Sequence, residues 1–134
     1  MNKKPGRLLT YGLTYILFIT VSSAMGGVGT STVSADGPWE KRCGWFSNPT
    51  PANAWLEDRD GEWTIGLQGG HQAEGDWPDF KPREWVKTNV NYGYGCACML
   101  VKVNQQTHEV LEIKSAYSRP LSACRKDRHL KEPK

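Results

Sequence analysis

The densest polar cluster in this chain is "GGHQAEGDW", Gly69 to Trp77, which offers His71, Gln72, Glu74 and Asp76 beside an aromatic anchor, Trp77. An imidazole within a few residues of two carboxylates can act as an acid–base pair or help to hold a metal. The same side chains can equally form a polar binding surface. A second candidate is "GCACML", where Cys96 and Cys98 lie one residue apart. Four cysteines in all, Cys43, Cys96, Cys98 and Cys124, could ligate zinc, exchange disulfides or brace the fold. The C-x2-C spacing of common zinc sites and redox motifs is absent, so bracing is the expectation, with no metal and no cofactor. Other fragments are weaker. "HEVLE" at His108–Glu112 lacks the second histidine of a zincin helix and alternates like a strand. "DRDG" at Asp58–Gly61 begins like a calcium loop but lacks its later ligands, and a tight turn accounts for it. "NPT" at Asn48–Thr50 fails as a glycosylation acceptor because of its proline.

The elements that must position these residues follow from the ends of the chain inward. Lys3, Lys4 and Arg7 precede an apolar run, Leu8–Val21, and then a small polar segment ending in "VSA" at Val33–Ala35. This is the pattern of a signal peptide spanning residues 1–35, cleaved after Ala35, with "SSA" ending at Ala24 as a second site. The apolar run of 14 residues is short for a bilayer span, which takes about 20. No stable membrane anchor is expected after cleavage. The expected destination is the periplasm or the exterior.

Removing residues 1–35 from the 134 leaves 99, enough for one domain at 36–134. It also removes three of the 17 Lys and Arg and none of the 14 Asp and Glu, so the remainder is formally neutral and suggests no nucleic-acid partner. The charges are uneven: Asp36–Phe80 carries nine acids and three bases, Lys114–Lys134 seven bases and two acids. An even cysteine count in a short exported chain reads as a disulfide framework.

Within this part, "CGWFSNPTPANA" at 43–54 reads as a loop because of Pro49 and Pro51. "AWLEDRDGEWTIGLQ" reads as a hairpin turning at Asp58–Gly61, with Trp63, Ile65 and Leu67 on one face. Gly69–Arg83 reads as a long loop, with three glycines and two prolines. "EWVKTNVNYGY" is a strand. "CACMLVKV", "NQQT" and "HEVLEI" form a second hairpin, with Ala97, Met99, Val101 and Val103 on one face and Cys96, Cys98, Leu100 and Lys102 on the other. Beyond Ile113 the chain reads as irregular, with a fraying charged end. The fold class is mainly β: a small antiparallel barrel or sandwich of five or six strands from about Trp39 to Asp127, braced by two disulfides.

Because Cys96 and Cys98 point to one side of a strand, a bond between them would force the backbone to buckle. Of the two remaining pairings, Cys43–Cys96 with Cys98–Cys124 is preferred over Cys43–Cys98 with Cys96–Cys124. Among the six tryptophans, Trp63 and Trp85 are assigned to the core, and Trp45, Trp55 and Trp77 flank loops where they could form a platform for a sugar or a protein.

The phrases "RCGWFSNPTPANAWLEDRDGEWTIGLQGGHQAEG", "NYGYGCACMLVKV" and "PLSACRKD" resemble a family of small exported bacterial proteins, catalogued as domain of unknown function number four thousand and eighty-seven. The resemblance spans Arg42 to Asp127 and implies a bacterial, exported chain, with no activity to carry over. The function expected is therefore a non-catalytic binding module of the inhibitor or envelope-accessory type, for an unknown protein or glycan partner in the cell envelope. His71, Gln72, Glu74, Asp76 and Trp77 would belong to its surface. The alternatives are a carbohydrate-binding module, or a cell-wall or carbohydrate-directed hydrolase using Glu74, Asp76 or Glu62 with His71.

Overall fold

The computed structural model describes residues 37–134; the expected signal peptide, residues 1–35, and its cleavage point lie outside the described residues. Six strands form one sheet: β1 (Glu40–Thr50), β2 (Asn53–Asp58), β3 (Gly61–Gly66), β4 (Trp85–Asn89), β5 (Tyr92–Asn104) and β6 (Glu109–Arg119). Their order is β1-β2-β3-β6-β5-β4, and a further β1–β5 pairing bends the sheet into a ring. The mainly β, disulfide-braced fold read from the sequence is thus the fold observed. The wall is uneven, because β3 and β6 run parallel and meet at one register pair, Thr64 with Glu109.

Period-two alternation decides what faces inward. Phe46, Leu56, Trp63, Ile65, Ala97, Met99 and Val101 fill the interior with Val110 and Ile113. The opposite face of β1 and β5 would normally meet solvent. Here it is covered. A short helix, α1 (Leu121–Arg125), and the chain after it pack Leu121, Ala123 and Leu130 against Trp45, Tyr94, Cys96 and Cys124. Both faces of Tyr94–Cys98 are therefore buried.

Four expectations are corrected. Residues 43–54 are no loop: β1 runs to Thr50, because both prolines sit at its end and in the turn to β2, where no ladder donor is needed. β6 does not stop at Ile113 but pairs with β5 as far as Arg119, with bulges that let one strand outrun the apolar alternation. The charged end does not fray. The Arg125 guanidinium grips the Glu132 carboxylate at 2.7–3.1 Å, and the Tyr94 hydroxyl donates to the same group at 3.1 Å. Finally, the disulfides are Cys43–Cys98 and Cys96–Cys124. Register explains this: Cys43 lies directly opposite Cys98 across the β1–β5 ladder, while Trp45 lies opposite Cys96. Cys96 thus faces an indole on that side and reaches to α1 for its partner.

The long loop has a structural role that its polar sequence hides. His71–Glu74 closes the gap between β3 and β6. Leu67 N–H donates to the His71 carbonyl and Ala73 N–H to that of Ile65 (both 2.8 Å), on the β3 side. On the β6 side, Glu74 N–H donates to the Leu111 carbonyl at 3.0 Å, and Ile113 N–H to that of Glu74 at 2.7 Å. Gly75 then turns the chain away with φ 99°, and a Cβ there would lie 2.2 Å from the Ile113 carbonyl oxygen. Gly75→Ala therefore meets both a disfavoured backbone region and an immovable backbone atom. A loss of about 2–4 kcal/mol is expected, read as a fall of ten degrees or more in the thermal midpoint by circular dichroism. An unchanged midpoint would show that the seam does not depend on this turn.

Candidate functional site

The sequence-derived cluster is only partly assembled as a site. The His71 ring is committed to the wall, its Nε2–H donating to the Val110 carbonyl at 2.7 Å. The Gln72 side-chain amide donates to the carbonyls of Ala52 and Leu67, both at 2.9 Å, pinning the β1–β2 turn to the loop. Glu74 and Asp76 are exposed, and among the described residues no hydrogen bond or ion pair joins either to His71. Trp77 is half-buried with its ring edge-on to Phe46, at 5.7 Å between centroids. Of the aromatic platform, Trp45 is fully buried, so it cannot present a face to a sugar; Trp55 and Trp77 are half-buried. The assignment of Trp63 to the core holds, and Trp85 packs at its rim against Phe80 and Phe46.

Among the described residues a concavity lies on the covered face of β1, β5 and β6. It is a groove of about 490 Å³ between the β2–β3 turn and the segment from α1 to Leu130. Strand register sets its floor in rows. Cys43 of β1 stands opposite Cys98 of β5, which stands opposite Tyr117 of β6; one pair along, Trp45, Cys96 and Arg119 form the next row. Both disulfides thus border the groove.

Its charges are arranged asymmetrically. The acids are held. Arg42 bridges Asp58 at 2.7 Å, Glu40 at 2.6 Å and Asp60 at 3.1 Å, and Arg59 bridges Asp127 at 2.9 Å. Burial alone would lower the Arg42 pKa, but the hydrogen bonds it donates to Asp58, Asp60 and Glu40 outweigh it and raise the value. The Asp127 carboxyl is held below the usual range by the backbone N–H of His129 and then by Arg59. Two bases stand apart. Lys41 lies over the Tyr117 ring at 5.9 Å, and Arg119 places Nη1 3.6 Å from the Cys98 sulfur; among the described residues neither is in an ion pair. The sequence carried no sign of this, because Lys41 and Arg119 are 78 residues apart and only the β1–β5–β6 register brings their strands together.

The tail wall has a pH dependence whose sign follows from its groups. Arg125, and then Tyr94, hydrogen-bond the Glu132 carboxylate and hold its pKa below the ordinary glutamate value. Burial, then Glu132, raises that of the Tyr94 hydroxyl. A depressed carboxyl stabilises docking above its unfolded pKa and loses that contribution as pH falls through its folded value. The tail is therefore expected to stay docked at neutral pH and to loosen below about pH 4. Hydrogen exchange over residues 126–134, corrected for intrinsic rates, should show protection at pH 7 that fades at pH 3. Glu132→Gln should lower it already at pH 7. Equal protection at both pH values would assign docking to Leu130 and Cys124 instead.

Among the described residues no three His, Cys, Asp or Glu side chains converge as a metal site, and no helix is long and apolar enough to cross a membrane. The two disulfides point to folding in an oxidising, extracellular type of environment. No curated protein and no solved structure matches the chain. A family model does match, over residues 38–131, the whole ring of strands with α1 and most of the tail. The chain therefore belongs to the family described as protein of unknown function (DUF4087).

Proposed function

We propose that this is an exported bacterial protein, freed of residues 1–35, that acts as a non-catalytic binding module for an acidic segment of a protein partner in the periplasm or outside the cell. The observation that supports this reading is the charge pattern of the groove: its acids are each held by an arginine, while Lys41 and Arg119 are in no ion pair among the described residues. An arginine without an internal carboxylate, in a preformed concavity, is a ready partner for an external one. The disulfides and the docked tail hold its walls, so little ordering cost accompanies binding. The exposed Glu74 and Asp76 lie outside this charge pattern and do not line the groove.

The test is capture from an envelope extract on immobilised mature protein, at low and at high salt. Wild type should retain a partner that salt weakens, and Arg119→Glu combined with Lys41→Glu should lose it without a change in thermal midpoint. If the double variant retains the same partner, the groove is not the surface; His71→Ala/Glu74→Ala then tests the loop. Turnover of cell-wall glycan by wild type, abolished by Glu74→Gln, would replace binding with the hydrolase reading. Salt-insensitive retention on glycan, lost in Trp55→Ala or Trp77→Ala, would replace it with the carbohydrate-binding one.

A further inference from the structure

The two disulfides differ in what surrounds them. Cys96 and Cys124 are 3 % and 2 % exposed, enclosed with Trp45, Tyr94 and the apolar residues of α1. In the other bond, Cys98 is fully buried, whereas Cys43 is half-buried on the groove side. Cys43 is thus the more accessible residue of this pair and Cys98 the shielded one. The guanidinium of Arg119 lies at the buried one, Nη1 standing 3.6 Å from Cys98 Sγ. Thiol–disulfide exchange depends on which sulfur can be reached and on how well the other leaves as a thiolate. A neighbouring cation stabilises the thiolate form. Access and leaving-group stabilisation therefore select the same direction of attack.

We propose that Cys43–Cys98 is a thiol-exchange site, at which a small carboxylate-bearing thiol of the glutathione class forms a mixed disulfide with Cys43 and releases Cys98 as a thiolate beside Arg119. The incoming thiol first loses its proton to solvent. Its sulfur then bonds to Cys43 Sγ, and the electron pair of the Cys43–Cys98 bond leaves on Cys98 Sγ. One disulfide and one thiolate go in, one disulfide and one thiolate come out, and no other oxidant or reductant is needed. The fold tolerates the opening because β1 and β5 remain joined by the ladder from Glu40–Val101 to Asn48–Gly93. The groove admits a molecule of this size, and Lys41 and Arg119 attract its carboxylates. Nothing in this step depends on the protein partner proposed above.

The experiment exposes the full oxidised protein to glutathione at pH 8, quenches by alkylation at intervals and maps each cysteine by peptide mass spectrometry. The first adduct should be glutathione on Cys43 with Cys98 alkylated and Cys96–Cys124 intact, formed faster than global unfolding measured by hydrogen exchange. Arg119→Ala should slow this step several-fold and Arg119→Lys should restore most of the rate. With 2-mercaptoethanol, which has no carboxylate, the effect of Arg119→Ala should shrink but remain. First reaction at Cys96–Cys124, an adduct on Cys98, a rate equal to that of global unfolding, or indifference to Arg119→Ala would each overturn the proposal.

Discussion

Reduction of both disulfides is expected to leave the protein unfolded at 37 °C. The bonds close sequence separations of 55 and 28 residues. Chain-entropy arguments assign about 4 and about 3.5 kcal/mol to loops of these sizes. The two loops share only Cys96–Cys98, so their contributions nearly add, to about 7–8 kcal/mol against the 5–15 typical of a whole domain. Part of the structure would go further. Cys124 ties α1 to β5, and without it the cover over Trp45 and Tyr94 rests on Leu121, Leu130 and the Glu132 ion pair. A thermal melt followed by circular dichroism, with and without a phosphine reductant and with alkylation to prove four free thiols, should show the cooperative transition lost or lowered by tens of degrees. A fully reduced protein that melts within a few degrees of the oxidised one would mean that the sheet and its interior suffice alone. Opening Cys43–Cys98 by itself removes about 4 of these 7–8 kcal/mol and leaves Cys96–Cys124 closed, so single exchange in a folded protein and collapse on full reduction are compatible.

The parts of this fold that were legible in the sequence are those decided within a few residues. Asp58–Gly61 and Asn104–Thr107 are turn chemistry between alternating strands, and both hairpins are where that chemistry puts them. The facing of Ala97, Met99 and Val101 away from Cys96 and Cys98 follows from the pleat alone. What escaped depends on partners far along the chain. β1 carries Gly44, Pro49 and a buried Arg42, so its local pattern is poor; it is a strand because β2 and β5 supply ladders on both sides. Gly44 itself records that closeness, since a Cβ there would sit 2.0 Å from the Glu57 carbonyl oxygen. The disulfide pairing needed the β1–β5 register, and a shift of two residues would have reversed it. The Gly69–Trp77 segment looks like a free loop because it has almost no apolar side chains. Its bonds are made by backbone and by the His71 ring, and composition does not reveal them. The groove was invisible for a related reason: its rows take one residue from each of three strands.

The second large effect belongs to a charged network at the rim of the interior. Asp58→Ala is expected to cost about 3–5 kcal/mol, the range for breaking a buried ion pair from one side. Arg42 and Asp58 are 6 % and 8 % exposed, and their charges meet at 2.7 Å. The same carboxylate accepts from the Trp63 indole N–H at 3.1 Å and from the Asp60 backbone N–H at 2.8 Å. The guanidinium lies over the Trp63 ring at 3.8 Å, and His108 stacks on that ring at 4.8 Å, so the indole is fixed by contacts in several directions. Truncation at residue 58 would orphan two donors and leave Arg42 with Glu40 and the exposed Asp60. Asp58→Asn, which keeps an acceptor oxygen, should cost clearly less. The combined variant Arg42→Met/Asp58→Leu removes both charges and their desolvation, and it should be more stable than Asp58→Ala alone, with coupling measurable in a double-mutant cycle. The Trp63 N–H is orphaned in Asp58→Leu with or without Arg42→Met, so the difference between those two variants isolates the loss of Arg42. If Asp58→Ala melts within a few degrees of wild type, Glu40 and Asp60 neutralise that guanidinium on their own. The acids that hold the groove's wall would then be interchangeable, and only the pairing of Asp127 with Arg59 would remain specific.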